Sequence, residues 1–232
     1  PSRVLTTEDA NLALENEVEA LKRLDHPRIP EYIDSGFTIN EEGDRVLVLI
    51  MEHIEGGSLD DEMKLLIKME SRQPLKRSLK IIIECCDALD YMADLDPPLY
   101  HRDIKPHNII IEPERGATLI DFGLAKEVAA GSGKSLSGGA HTAGWSPPER
   151  ERGETGPTTD VYSLGQLLWH MLTNESAGIF SESHKSERII ELDHPKWLVD
   201  VVNNATVPDD PRKRIQSVAA LRYMLENEGD SP

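Results

Sequence analysis

Leu12, Leu14, Val18, Leu21 and Leu24 recur at roughly helical spacing, so residues from about Glu8 to Leu24 are predicted to form an amphipathic helix, with Thr6 and Asp9 placed as a capping box. Tyr32–Ile33 and Phe37–Ile39 read as one strand, Glu41–Asp44 as its turn, and Arg45–Met51 as a second strand rich in Val, Leu and Ile. A helix from about Asp61 to Met69 and a loop around Pro74 follow. From Leu79 the positions Ile82, Ile83, Cys86 and Leu89 mark one face of a long helix that stops near Asp94, ahead of Pro97–Pro98. Ile109–Ile111 and Thr118–Ile120 flank Glu112–Gly116 as a hairpin, and Thr158–Gly165 opens another helix. The stretch from Asn174 to His194 is polar and carries no predicted element, whereas helices near Pro195–Asn203 and Ser217–Glu226 close the chain.

Composition narrows the class. With 232 residues, 38% hydrophobic and 29% charged, the chain can bury one or two cores and reads as globular. No run approaches the roughly eighteen apolar residues of a membrane span, and the start lacks a basic-then-apolar leader, so no membrane contact is expected from this segment. The first residue is Pro1, which implies a processed N-terminus or a piece of something longer. Cys85 and Cys86 are neighbours within an apolar helical pattern, where a mutual disulfide is strained, so they read as core thiols of a reducing, cytoplasmic protein. The net charge of −17 opposes nucleic-acid binding and fits a solvated acidic surface, a halophilic source or basic substrates.

The chemistry concentrates in His101–Arg102–Asp103–Ile104–Lys105–Pro106–His107–Asn108 and, thirteen residues after Asn108, Asp121–Phe122–Gly123. Two carboxylates, a lysine and an amide suit phosphoryl transfer, in which a protein supplies mainly position and charge. Either string alone marks a turn; together and in order they resemble a eukaryotic-type (Hanks-type) serine/threonine protein kinase. Lys105 argues against aminoglycoside-type phosphotransferases and against tyrosine kinases, which usually lack that lysine.

The resemblance covers nearly the whole chain and implies an α+β fold. A partial small lobe (residues 1–52) would hold the mobile helix and two strands, and a mainly helical large lobe (residues 53–232) the catalytic and activation loops. It implies ATP and Mg2+ or Mn2+ as cofactors and protein substrates as partners. Asp103 would accept or orient the proton of the substrate hydroxyl, Lys105 would neutralise the transferred group, and Asn108 and Asp121 would ligate the metal. The backbone of Glu52 and Ile54 would meet the adenine edge, with Met51 as gatekeeper and Ile110 as pocket floor. Glu17 would pair with a strand lysine; read without the family, it is a solvated helix glutamate.

His101 and Phe122 are assigned to packing, with Leu21 and Tyr32 as partners. Arg102 marks kinases whose loop is ordered by phosphorylation, for which Ser132, Ser135 and Ser137 lie within reach of Arg102 and Lys126. Thr142 would bridge Asp103 and Lys105, in a stretch where Trp145 and Pro147 replace commoner residues. Gly123, Asp160 and a buried Glu149–Arg214 pair would be scaffold, with Asp160 hydrogen-bonding the backbone of the catalytic loop; read without the family, a dipole effect alone accounts for Asp160 at a helix start. The departure is at the front: no glycine-rich loop and no Val-Ala-Ile-Lys strand precede the first helix. Arg3 alone lies near the lysine's place, and an arginine fork does not replace an ammonium point charge. These features imply a fragment that transfers phosphate poorly as given. The rival reading is a catalytically inactive kinase-like binding or scaffold module.

Overall fold

In the computed structural model, residues 7–127, 144–152 and 156–230 are described. The first helix, α1 (Thr7–Leu21), stops three residues short of the predicted end. Leu24 is nonetheless buried, because Arg23 and Leu24 donate to Ala20 and Leu21 in tightened i→i−3 turns that keep the apolar face directed inward. Strands β1 (Tyr32–Ile39) and β2 (Arg45–Met51) form an antiparallel hairpin whose register runs from Tyr32 opposite Met51 to Ile39 opposite Arg45. Asn11 stitches α1 to β2 through its side chain, accepting from the Leu47 amide (2.9 Å) and donating to the Arg45 carbonyl (3.2 Å).

Next come β3 (Gly57–Ser58) and α2 (Leu59–Lys68), the helix capped by the Ser58 hydroxyl, which accepts from the Asp61 amide at 3.1 Å. The long helix α3 (Leu75–Ala93) begins four residues ahead of its predicted start, because Pro74 presents its carbonyl to the amides of Arg77 and Ser78. After β4 (Leu99–Tyr100), strands β5 (Ile109–Glu112) and β6 (Gly116–Leu119) make the predicted hairpin, to which β3 adds antiparallel to β5. Strand β7 (Lys126–Glu127) pairs with β4. Strands of two residues carry no sequence periodicity, which is why β3, β4 and β7 escape prediction.

Helix α4 (Pro157–Thr173) is buried almost without a break from Thr159 to Thr173, as expected of a helix apolar on nearly every side. Around it stand α5 (Glu182–Glu191), α6 (Trp197–Ala205) and α7 (Val218–Glu226). Helix α5 corrects the reading of 174–194 as merely polar: Ser181 caps it by accepting from the His184 amide at 3.1 Å, and it buries only Lys185 and Ile189. Two inward residues in ten are too few to show periodicity above a polar background. One continuous core runs from Leu21, Leu24 and Ile29 through Met63, Cys85, Cys86, Leu119 and Phe122 to Leu164, Val201 and Leu225. The architecture is α+β, mainly helical, with a small two-stranded N-terminal sheet. Among the described residues no helix is long and apolar enough to cross a membrane.

Both cysteines are buried free thiols. Burial pushes the Cys85 thiol up to about 12, with Glu84 adding to the rise, so it is protonated and inert at neutral pH.

Burial also pushes the Asp90 carboxyl on α3 up to about 6, opposed by Arg222 and reinforced by Asp94 and Asp87. A carboxyl that ionises later in the folded than in the unfolded chain binds the extra proton in the native state, so stability falls as pH rises from about 4 to about 6. Asp90→Asn is expected to raise unfolding free energy at pH 8 by about 1–2 kcal/mol and to leave it unchanged at pH 4. Urea titrations of both proteins at the two pH values check this; equal stabilisation at both would contradict it.

Candidate active site

The loop joining β4 to β5 is held by two buried groups. His101 is fully buried, its ring 4.9 Å from that of Phe122 and its Nε2 3.2 Å from the Ile120 carbonyl oxygen. Asp160, in the first turn of α4, accepts the His101 amide at 3.0 Å and the Arg102 amide at 2.7 Å. Burial pushes the Asp160 carboxyl up, and the charges and amides of His101 and Arg102 oppose that rise. The dipole explanation of Asp160 is therefore incomplete, because the carboxylate is 1% exposed and spent on a loop 58 residues away in sequence. Arg102 occupies the left-handed region (φ 70°), as does Asp121 (φ 65°), so strained residues stand in both candidate loops.

Asp103, 8% exposed, has its two oxygens differently engaged. Oδ2 accepts from Lys105 Nζ at 2.7 Å and from Asn108 Nδ2 at 3.0 Å, and Asn108 Nδ2 also donates to the Asp103 carbonyl at 2.8 Å. Oδ1 lies 3.9 Å from Arg150 Nη1. Asn108 thus turns its amide nitrogen inward. Its backbone carbonyl accepts the Ile120 amide at 3.0 Å, which fastens the loop to the residue before Asp121. Asp121 is exposed and its Oδ1 is 3.4 Å from the Gly123 amide. The oxygens of Asn108 and Asp121 are hard donors that fit Mg2+ or Mn2+. No group of three or more His, Cys, Asp or Glu side chains among the described residues is placed to hold a metal alone.

Glu17 reaches the same place from α1: its Oε1 accepts the Phe122 amide at 3.1 Å. Burial raises its pKa, the Phe122 bond lowers it and the charge of Asp121 raises it. Leu21 and Phe122 belong to one core cluster, against which Tyr32 packs.

Between the hairpin β1–β2 and the helical part, Met51 is 38% exposed at the end of β2. The Glu52 amide is taken by the Glu31 carbonyl at 2.8 Å, and no described backbone hydrogen bond uses the amide or carbonyl of Ile54. Those two groups are free to meet a planar ligand edge. Gly56 follows at φ 150°, where a Cβ would stand 2.3 Å from the Ile111 carbonyl oxygen, so glycine is required where this segment crosses β5. Ile110 is partly buried, next to the fully buried Ile109.

Glu149 and Arg214 form a bidentate pair: Nη1 bonds Oε1 and Nη2 reaches Oε2 at 2.8 Å. Gly144 (φ 96°) lies so close to Ala177 that a Cβ would stand 2.2 Å from its carbonyl oxygen. Arg102 is 5% exposed, donates to the Leu124 carbonyl at 3.4 Å, and has a buried Nε without a partner. The Lys126 backbone lies in β7. Arg3, Ser132, Ser135, Ser137 and Thr142 lie outside the described residues.

Sequence reading missed three side chains here. Arg150 faces Asp103. Arg115 clamps Glu52 through Nη2–Oε1 (2.6 Å) and Nη1–Oε2 (3.2 Å). His107 Nε2 lies 3.2 Å from Asp60 Oδ2. His107 lay inside the quoted His101–Asn108 string and Arg150 directly after Glu149, whereas Arg115 carried no signal. A cavity of about 480 Å3 between α2, α3 and the β5–β6 hairpin includes no residue of the Asp103 loop. Its four carboxylates are already engaged, Asp61 by the Ser58 hydroxyl, Glu62 by Arg77, Glu84 by the Ala117 amide and Glu112 by Arg115.

The chain matches the protein kinase domain family over residues 3–226. It is 32% identical to a probable serine/threonine-protein kinase of Dictyostelium discoideum over 225 residues, 95% of this chain and 21% of that protein. It is likewise 32% identical to the serine/threonine-protein kinase PknB of Mycobacterium tuberculosis over 168 residues, 71% of this chain and 26% of that one. A probable PknB of Bifidobacterium longum is 32% identical over 197 residues, 79% of this chain and 28% of its relative. The chain thus spans less than a third of the length of each of these relatives.

The Glu149–Arg214 pair gives a direct test of the scaffold. Both side chains are almost inaccessible, 4% and 0% exposed, so removing one charge strands the other. Glu149→Gln is expected to cost about 3–5 kcal/mol of unfolding free energy in urea titrations; a loss below about 1 kcal/mol would show that Arg214 is satisfied by the Val207 and Pro208 carbonyls alone.

Proposed function

The chain belongs to the protein kinase domain family, and we propose that it transfers the γ-phosphoryl group of ATP to serine or threonine hydroxyls of protein substrates. The observation that carries this reading is the unequal use of the Asp103 carboxylate. Oδ2 is held by Lys105 and Asn108, while Oδ1 receives no hydrogen bond among the described residues. The free oxygen is the one able to accept a proton. As the acceptor oxygen bonds to phosphorus and the bond from phosphorus to the β,γ-bridging oxygen breaks, ADP departs and the hydroxyl proton passes to Asp103 Oδ1. Lys105, 2.7 Å from Asp103, stands beside the acceptor side and offsets charge on the moving group.

Asn108 and Asp121 would hold the divalent ion, which supplies charge neutralisation for the phosphates when bound. The free amide and carbonyl of Ile54 and the carbonyl of Glu52 would hold the adenine edge, between Met51 and Ile110. Glu17, bonded to the Phe122 amide, sets the loop that presents Asp121. In this reading residues 1–52 form the small lobe and 53–232 the large one. The scaffold alternative is disfavoured because Asp103, Lys105, Asn108 and Asp121 are all retained.

In the full-length protein, Asp103→Asn is expected to lower kcat at least about a hundredfold while Mg-ATP affinity, measured by calorimetry, stays near parental. Asp121→Asn is expected instead to weaken Mg-ATP binding itself. Parental turnover in the first variant, or parental affinity in the second, would remove the corresponding role.

A further inference from the structure

We infer that Arg150 is a positioning residue for the transfer: its guanidinium holds the Oδ1 side of the Asp103 carboxylate opposite the grip of Lys105 and Asn108 on Oδ2. This rests on the reading that Asp103 takes the hydroxyl proton.

Three observations support it. Arg150 lies in the short turn Pro148–Arg152 and is 8% exposed, so its guanidinium is withdrawn from bulk water and its field is poorly screened. Its Nη1 donates to the Ser146 hydroxyl, which fixes the head group, and the same Nη1 lies 3.9 Å from Asp103 Oδ1. That separation is too long for a hydrogen bond and short enough for a strong charge interaction. Arg150 therefore orients Oδ1 without consuming the lone pair that the acceptor proton needs.

The third observation is crowding. Burial and the charge of Arg150 both make the neighbouring Arg102 guanidinium harder to keep charged, so placing a second arginine here is costly. A residue serving only to fill space beside Arg102 would be better uncharged. Asp103 and Asp160 are the groups that favour the charge on Arg150, and Asp160 is already satisfied by two backbone amides. Asp103 is left as the partner that needs it. A swinging carboxylate displaced by about an ångström loses on the order of a hundredfold in rate, which is the scale of what such a contact protects.

The test compares parent, Arg150→Gln, Arg150→Lys, Asp103→Asn and the double variant Asp103→Asn with Arg150→Gln in the full-length protein, with dephosphorylated casein as acceptor. Arg150→Gln is expected to lower kcat roughly ten- to a hundredfold with KM for ATP and the thermal midpoint unchanged. Arg150→Lys is expected to recover part of the loss. In the Asp103→Asn background, Arg150→Gln is expected to cost nothing further, since the carboxylate it orients is gone. Full additivity of the two losses, a parental kcat in Arg150→Gln, or loss accompanied by an equally lowered thermal midpoint in both Arg150 variants would overturn the proposal. Parental turnover in Asp103→Asn alone would instead remove the proton-acceptor reading, and the role of Arg150 would fall with it.

Discussion

The carboxylate of Asp160 is the constraint on which the reactive loop depends. It leaves water at the first turn of the most deeply buried helix and receives the amides of His101 and Arg102. Those two bonds hold Arg102 in a left-handed conformation that costs on the order of 1–2 kcal/mol for an L-residue. The following residue, Asp103, is thereby turned toward Lys105 and Asn108. His101, pinned at its backbone, places its ring on Phe122, and Phe122 in turn gives its amide to Glu17. A chain of named contacts therefore runs from the centre of the helical part to α1, and each link depends on the loop being held at its root.

A second set of contacts ties the N-terminal part to the same frame from behind. Arg28, just after the turn that ends α1, donates to the carbonyls of Arg115 (2.9 Å) and Ala117 (3.3 Å), and lies 3.4 Å from both Glu84 and Asp87. The Leu119 amide returns a bond to the Arg28 carbonyl at 2.9 Å. Arg115, from the same hairpin, grips Glu52. The segment that would meet adenine is thus braced by partly exposed ion pairs. Such pairs contribute little to global stability but fix direction through the planar fork of arginine.

Local chemistry was legible in the sequence wherever it repeats at a fixed spacing. The faces of α1 and α3 and the β1–β2 and β5–β6 hairpins are of this kind, whereas the Asp103–Asn108 and Asp121–Gly123 strings were legible through their resemblance to the kinase family. What escaped depends on distance along the chain. Asp160 is an ordinary first-turn acid by position alone; its bonds to the His101 and Arg102 amides were expected only from the kinase resemblance. Arg150 sits 47 residues after Asp103, and no pattern in the intervening chain announces that they face each other. Helix α5 escaped because it buries only Lys185 and Ile189; the lysine, paired with the Thr206 hydroxyl at 2.7 Å, reads as surface in any periodicity argument.

The central claim is that Asp160 holds the reactive loop in its strained form, and amide hydrogen exchange reads it most directly. Asp160→Ala is expected to strip protection from the amides of His101 and Arg102 while the interior amides of α4, bonded within their own helix, keep parental protection. Unchanged exchange at His101 and Arg102 in that variant would mean that the loop holds its shape without the carboxylate, and would contradict the account.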